Sequence, residues 1–87
     1  MKSMSEINIR ILYFAFIKDL TGVRADTMIL PYGSTINKLL TNILDTYPQI
    51  NNILKLIKVS VNYKVVDVNT ILKDGDEVAL LPPISGG

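Results

Sequence analysis

The sequence predicts an α+β domain, one mixed β-sheet with a single long helix packed on one face. Three observations predict it. Residues 7–14 alternate, with Ile7, Ile9, Ile11 and Tyr13 on one face and Asn8 and Arg10 on the other, which is the period of a half-buried strand. Ile36, Leu39, Leu40, Ile43, Leu44 and Tyr47 recur at helical spacing. Between that helix and the chain end, short Val- and Leu-rich runs are separated by turn residues, as strands are.

The elements follow in order. The segment Leu12–Ile17 is apolar on both faces, so the first strand is expected to run on through it and to lie inside the sheet. Lys18-Asp19-Leu20-Thr21-Gly22 reads as a helical turn closed by glycine. Asp26–Leu30 is a second strand, stopped by Pro31 and Gly33. Ser34 or Thr35 caps the helix and Pro48 ends it. Residues 49–57 form a second, shorter helix with Ile50, Ile53, Leu54 and Ile57 on one face. Val59-Ser60-Val61 is a strand, Asn62-Tyr63-Lys64 a tight turn, and Val65-Val66 the return arm. Lys73-Asp74-Gly75-Asp76 is a turn with Gly75 at positive φ, and Glu77–Leu81 is the last strand. With the first two strands antiparallel and the last parallel to the first, the helix becomes a right-handed crossover. That is the β-grasp, or ubiquitin-like, fold, expected over residues 1–81 with an extended tail at 82–87.

Composition narrows the function. The chain has 87 residues, enough for one core, with 48% hydrophobic and 20% charged residues, a globular balance. Nine Lys and Arg against eight Asp and Glu give a net charge of +1, too little for a surface that binds nucleic acid by displacing counterions. Cysteine and histidine are both absent. Thiol and imidazole nucleophiles, histidine proton relays, disulfides and the usual zinc and iron–sulfur ligand sets are thereby excluded. The opening Met1-Lys2-Ser3-Met4-Ser5-Glu6 is polar, with no apolar core of a secretory signal. No apolar run approaches the roughly 20 residues of a membrane span, so a cytoplasmic protein without membrane contact is expected.

The last six residues are Pro82-Pro83-Ile84-Ser85-Gly86-Gly87. Two prolines stiffen the exit from the last strand, and two glycines remove the side chains from its end. Fully extended, six residues reach roughly 20 Å. Such a tail can thread a narrow channel and deliver the Gly87 carboxylate to a partner's active site, although fraying is the commoner fate of a chain end.

From about Ile9 to Gly87 the chain resembles the small subunit of molybdopterin synthase, a ubiquitin-like sulfur carrier family. The resemblance rests on Ile11-Leu12-Tyr13-Phe14-Ala15, on Val61-Asn62, on Leu72-Lys73-Asp74-Gly75-Asp76-Glu77-Val78-Ala79 and on the Pro-Pro-Ile-Ser-Gly-Gly end. The family usually has Val where this chain has Ile84, and residues 23–57 match by pattern more than by identity. The resemblance implies that Gly87 is the working residue. A ubiquitin-activating-like adenylyltransferase adenylates its carboxylate with ATP, and sulfur then replaces the adenylate to give a thiocarboxylate. The tail, Pro82, Pro83, Ile84, Ser85 and Gly86, threads into the large synthase subunit. There the sulfur passes to a cyclic pyranopterin monophosphate, building the molybdopterin dithiolene. No bound cofactor, no metal and no catalytic residue in the folded body are implied.

Phe14, Val65 and Leu81 align with apolar positions that the family uses against its partners. Burial is the better expectation for any one apolar strand residue. As a set they point to a docking patch, because a sheet with one helix leaves its other face uncovered. Lys55, Lys58 and Lys64 read as a solvated cluster, and Asp74, Asp76 and Glu77 as turn acids, not metal ligands. Three other readings share the fold: a ubiquitin-like modifier conjugated to lysines through Gly87, a thiamine-pathway sulfur carrier, and a binding module with an incidental tail. Pro82-Pro83 favours the pterin route over the thiamine route.

Overall fold

The computed structural model describes residues 5–83. Five strands, β1 (Glu6–Tyr13), β2 (Ala25–Pro31), β3 (Lys58–Val61), β4 (Lys64–Val66) and β5 (Glu77–Leu81), form one sheet in the order β2-β1-β5-β3-β4. β1 is antiparallel to β2 and parallel to β5, and β5 is antiparallel to β3. The helix α2 (Ile36–Thr46) lies between the two halves of the sheet in sequence. This is the β-grasp arrangement the sequence predicts.

The alternation in β1 is realised: Ile7, Ile9, Ile11 and Tyr13 are buried, and Asn8 and Arg10 are exposed. Val78 and Leu80 of β5, Val59 of β3, and Ile36, Leu39, Leu40 and Ile43 of α2 complete the core from both layers. Thr35 caps α2, its hydroxyl oxygen accepting the Lys38 N–H at 3.3 Å. At the other end the Tyr47 N–H donates to the Ile43 carbonyl at 2.8 Å before Pro48 ends the helix.

One expectation is corrected. The first strand stops at Tyr13 instead of continuing through Ile17, and a short helix α1 (Phe16–Thr21) starts two residues earlier than the predicted turn. Ala15 is the cause, with φ 53° and ψ −133°. The Ile17 N–H donates to the Phe14 carbonyl at 3.1 Å, so Phe14–Ile17 is a type II′ turn with alanine where glycine is usual. Gly22 then closes α1 in the left-handed region, as predicted. The second, shorter helix is present as a 3₁₀ helix, Pro48–Leu56, with Ile50 fully buried and Ile53, Leu54 and the following Ile57 packed partly against the core.

The turns at the start of β5 interlock. Asn62 and Tyr63 both have positive φ, the geometry of a type I′ hairpin turn. The Asn62 side chain accepts the Glu77 N–H at 3.0 Å and donates to Asp76 Oδ1 at 3.0 Å. Asp76 Oδ2 accepts the Lys73 N–H at 2.8 Å, and Asp74 Oδ1 accepts the Asn8 N–H at 2.8 Å. The acids of this turn therefore satisfy backbone donors and fix the register of β5 against β1. Gly75 has φ +88°, and a Cβ built there meets nothing within 4 Å. Gly75→Ala is therefore expected to cost only the left-handed strain, about 1–2 kcal/mol, with an unchanged sheet; chemical denaturation checks the first and NMR amide shifts the second.

A half-buried polar network sits in the core wall. Asp26 Oδ2 accepts from the Tyr47 hydroxyl at 2.8 Å and the Tyr13 hydroxyl at 3.2 Å, and the two rings meet edge to face at 5.9 Å. Burial, then the Asp26 charge and hydrogen bond, raise the Tyr13 pKa. The hydrogen bond to Asp26, then burial, raise that of Tyr47. In the unfolded chain both hydroxyls ionise near about pH 10, while the folded chain keeps its protons to higher pH. The stabilisation is thus full below that pH and is lost as pH rises beyond it. Between about pH 8 and about pH 11, the wild type is expected to lose more unfolding free energy than the Tyr13→Phe/Tyr47→Phe double variant. Equal losses in urea titrations would remove this network from the alkaline limb.

Candidate functional site

β5 is the middle strand, held by β1 on one side and β3 on the other. Because β5 runs parallel to β1, it brings the chain out at the sheet end where β1 turns into α1. Leu81 is its last residue, with Pro82 and Pro83 following outside any strand. Ile84, Ser85, Gly86 and Gly87, the distal tail positions singled out in the sequence, lie outside the described residues.

The register defines what surrounds this exit. Tyr13 pairs with Leu80 and Lys58 with Leu81, so Phe14, Leu81 and Lys58 form the last row on the face away from α2. The Phe14 N–H extends the β1–β5 pairing by donating to the Leu80 carbonyl at 3.3 Å. The next row is Ala25, Leu12, Ala79, Ser60 and Val65 across all five strands. Below it the Arg10 guanidinium meets Glu77 at 3.5 Å. Lys58 apart, the open face is thus mostly apolar toward the tail exit, with the Arg10–Glu77 pair away from it. Phe14 is 44% exposed and Val65 65% exposed, while Leu81 is half-buried between its neighbours. The three patch residues inferred from sequence share this face, Phe14 and Leu81 adjacent at the exit and Val65 on the edge strand β4.

The lysine cluster expected from the sequence resolves differently in space. Lys58 and Lys64 do not form a cluster. Lys58 pairs with Leu81 on the open face, whereas Lys64 pairs with Val61, which pairs with the buried Val78 on the helix face. Asp74, Asp76 and Glu77 act as hydrogen-bond acceptors and an ion-pair partner. Among the described residues no three acidic side chains are grouped so as to hold a metal ion. No helix among them is long and apolar enough to cross a membrane.

Sequence reasoning missed a cleft of about 360 Å³ beside the exit, lined by Leu12, Tyr13, Phe14, Ala15, Lys18 and Arg24. It arises because the Ala15 turn folds α1 back along the end of β1, while the Tyr13 N–H bonded to the Arg24 carbonyl at 3.0 Å holds the start of β2 opposite. Nothing local in Phe14-Ala15-Phe16 signals that turn, since no glycine or proline marks it.

Residues 11–87 match the ThiS family. The molybdopterin synthase sulfur carrier subunit of Chlamydomonas reinhardtii is 36% identical over 83 residues, which cover 93% of this chain and 100% of that one. Among solved structures, the putative molybdopterin converting factor subunit 1 of Pyrococcus furiosus superposes with a TM-score of 0.83 at 26% identity, over 90% of this chain and 99% of that one. A chain from the complex of subunits 1 and 2 of the molybdopterin-converting factor of Helicobacter pylori matches with a TM-score of 0.63 at 28% identity, over 93% of this chain and 100% of its own. In sequence and in fold alike, over nearly its whole length, the chain belongs to the ThiS family and stands among the relatives of molybdopterin synthase sulfur carrier subunits.

Proposed function

We propose that this chain is the sulfur carrier subunit of a molybdopterin synthase, and that Gly87 is its working residue. The observation that carries the reading is the joining of two features. The family match runs to residue 87 through the Pro-Pro-Ile-Ser-Gly-Gly end, and the strand leading into that end is the middle strand of the sheet, paired on both sides.

The chemistry follows from what the chain has and lacks. A carboxylate is a poor acyl donor. Attack of the Gly87 carboxylate oxygen on the α-phosphorus of ATP releases pyrophosphate and leaves an acyl-adenylate, with AMP as a good leaving group. Sulfur then displaces AMP. The resulting thiocarboxylate sulfur is a soft nucleophile that bonds to a carbon of cyclic pyranopterin monophosphate within the large subunit; water then cleaves the acyl–sulfur bond and returns the Gly87 carboxylate, and two carriers supply the two sulfurs of the dithiolene. With no cysteine in the chain, the carboxyl end is where sulfur is carried. ATP belongs to the ubiquitin-activating-like adenylyltransferase, and the chain itself binds no cofactor. Pro82 and Pro83 stiffen the exit from β5, and Gly86 and Gly87 bring no side chains into a partner's channel. Phe14, Leu81 and Val65 supply the apolar docking face. The reaction sequence is assigned to the cytoplasm.

The large-subunit partner draws support from the Helicobacter pylori complex of subunits 1 and 2. The pterin route draws support from relatives named for molybdopterin synthase.

Intact mass spectrometry of the protein purified from its native host is expected to show one oxygen-to-sulfur exchange located at Gly87. A Gly87–lysine branched peptide in place of that exchange would instead mark a protein modifier. Phe14→Asp is expected to weaken binding to the large subunit by about 2 kcal/mol, roughly 30-fold in Kd. Its far-ultraviolet circular dichroism should remain that of the wild type, since Phe14 lies outside the core. Normal affinity, or loss of the fold, would remove Phe14 from the docking face.

A further inference from the structure

The cleft beside the tail exit is not used by the sulfur chemistry, yet any partner that holds Gly87 comes close to it. Six residues span at most roughly 20 Å, so the partner reaches within that distance of Leu81. The cleft begins at Phe14, one strand away, about 4.8 Å in the pairing direction.

Its lining has a definite chemical character. Leu12 and Phe14 make an apolar wall, and Lys18 and Arg24 bring two cations to it with no acidic residue in the lining. Among the described residues neither cation has a carboxylate within ion-pair distance; the salt bridge there is Arg10 with Glu77. The nearest acids are otherwise engaged or turned away. Asp26 accepts from two tyrosine hydroxyls, and Asp19 is exposed on α1 outside the lining. The walls are fixed by the turn at Ala15, by the left-handed cap at Gly22 and by the Thr21 hydroxyl, which donates to the Val23 carbonyl at 3.0 Å. Charges held against apolar walls interact more strongly than the same charges in open water, and a guanidinium presents a planar fork suited to a carboxylate.

We propose that this cleft is a docking socket for an acidic side chain, Asp or Glu, on the protein that receives the tail. Lys18 and Arg24 grip the carboxylate, and Phe14 covers the apolar stem beside it. The socket rests on the sulfur-carrier reading for the identity of that protein, the large synthase subunit. Its function is to orient the carrier before the tail enters, so its effect falls mainly on the association rate and its salt dependence.

Stopped-flow association of the full chain with the large subunit, at low and at high ionic strength, tests it. The Lys18→Gln/Arg24→Gln variant is expected to associate about tenfold more slowly at low salt, with a flattened salt dependence. Lys38→Gln/Lys55→Gln removes the same charge from exposed positions outside the cleft and is expected to stay within about twofold of wild type. Lys18→Arg/Arg24→Lys, which keeps both charges, should retain most of the wild-type rate. Equal slowing by the cleft and control variants, or none by the cleft variant, overturns the socket and leaves the sulfur-carrier reading standing. Absence of any complex with the wild type overturns both.

Discussion

The parallel pairing of β5 with β1 is the constraint on which the rest depends. It sets β5 in the middle of the sheet, buries Val78 and Leu80 completely under α2, and decides at which end the chain emerges. The polar turns around Asn62, Asp74 and Asp76 lock the start of that strand to its neighbours on both sides. A tail attached to an edge strand would share the edge's freedom to fray. Here the segment before Pro82 is bounded by two ladders, one to β1 and one to β3.

The same sheet has two unlike faces. α2, α1 and the 3₁₀ helix cover one, and their apolar side chains join those of β1, β5 and β3 in a single core. The other carries Phe14, Leu12, Leu81, Ala79 and Val65 toward the exit and the Arg10–Glu77 pair away from it. Small side chains along the middle row keep that face low, with Phe14 standing higher at its border. A protein without cysteine or histidine has little chemistry of its own to offer. In the proposed reading it offers a firm support, an apolar docking face and a carboxyl end for partner enzymes to act on.

Much of this was legible in the sequence wherever the signal is local. Alternation placed the β1 side chains on their faces, helical spacing and Thr35 located α2, and Lys73-Asp74-Gly75-Asp76 located the turn and its positive φ. The misreadings have physical reasons. Leu12–Ile17 is apolar throughout, so periodicity could not reveal that Ala15 turns the chain out of the strand. Lys58 and Lys64 are close in sequence, but strand pairing sends them to opposite faces. The tie from Asn62 to Asp76 and Glu77, and the meeting of Lys18 with Arg24 in one cleft, are made by topology. No short window of residues contains them. The reading of the tail rests on residue types alone, and its last four residues lie outside the described ones.

The central claim is that the globule serves to present a carboxyl end bare of side chains. Appending one tryptophan after Gly87, with no protease present to trim it, tests this most directly in a reconstituted system of activating enzyme, sulfur source, large subunit and pterin precursor. The expected result is a folded protein that forms no thiocarboxylate and yields no molybdopterin, with activity restored when the tryptophan is removed. Molybdopterin formation at the unmodified rate by the extended chain would contradict the account.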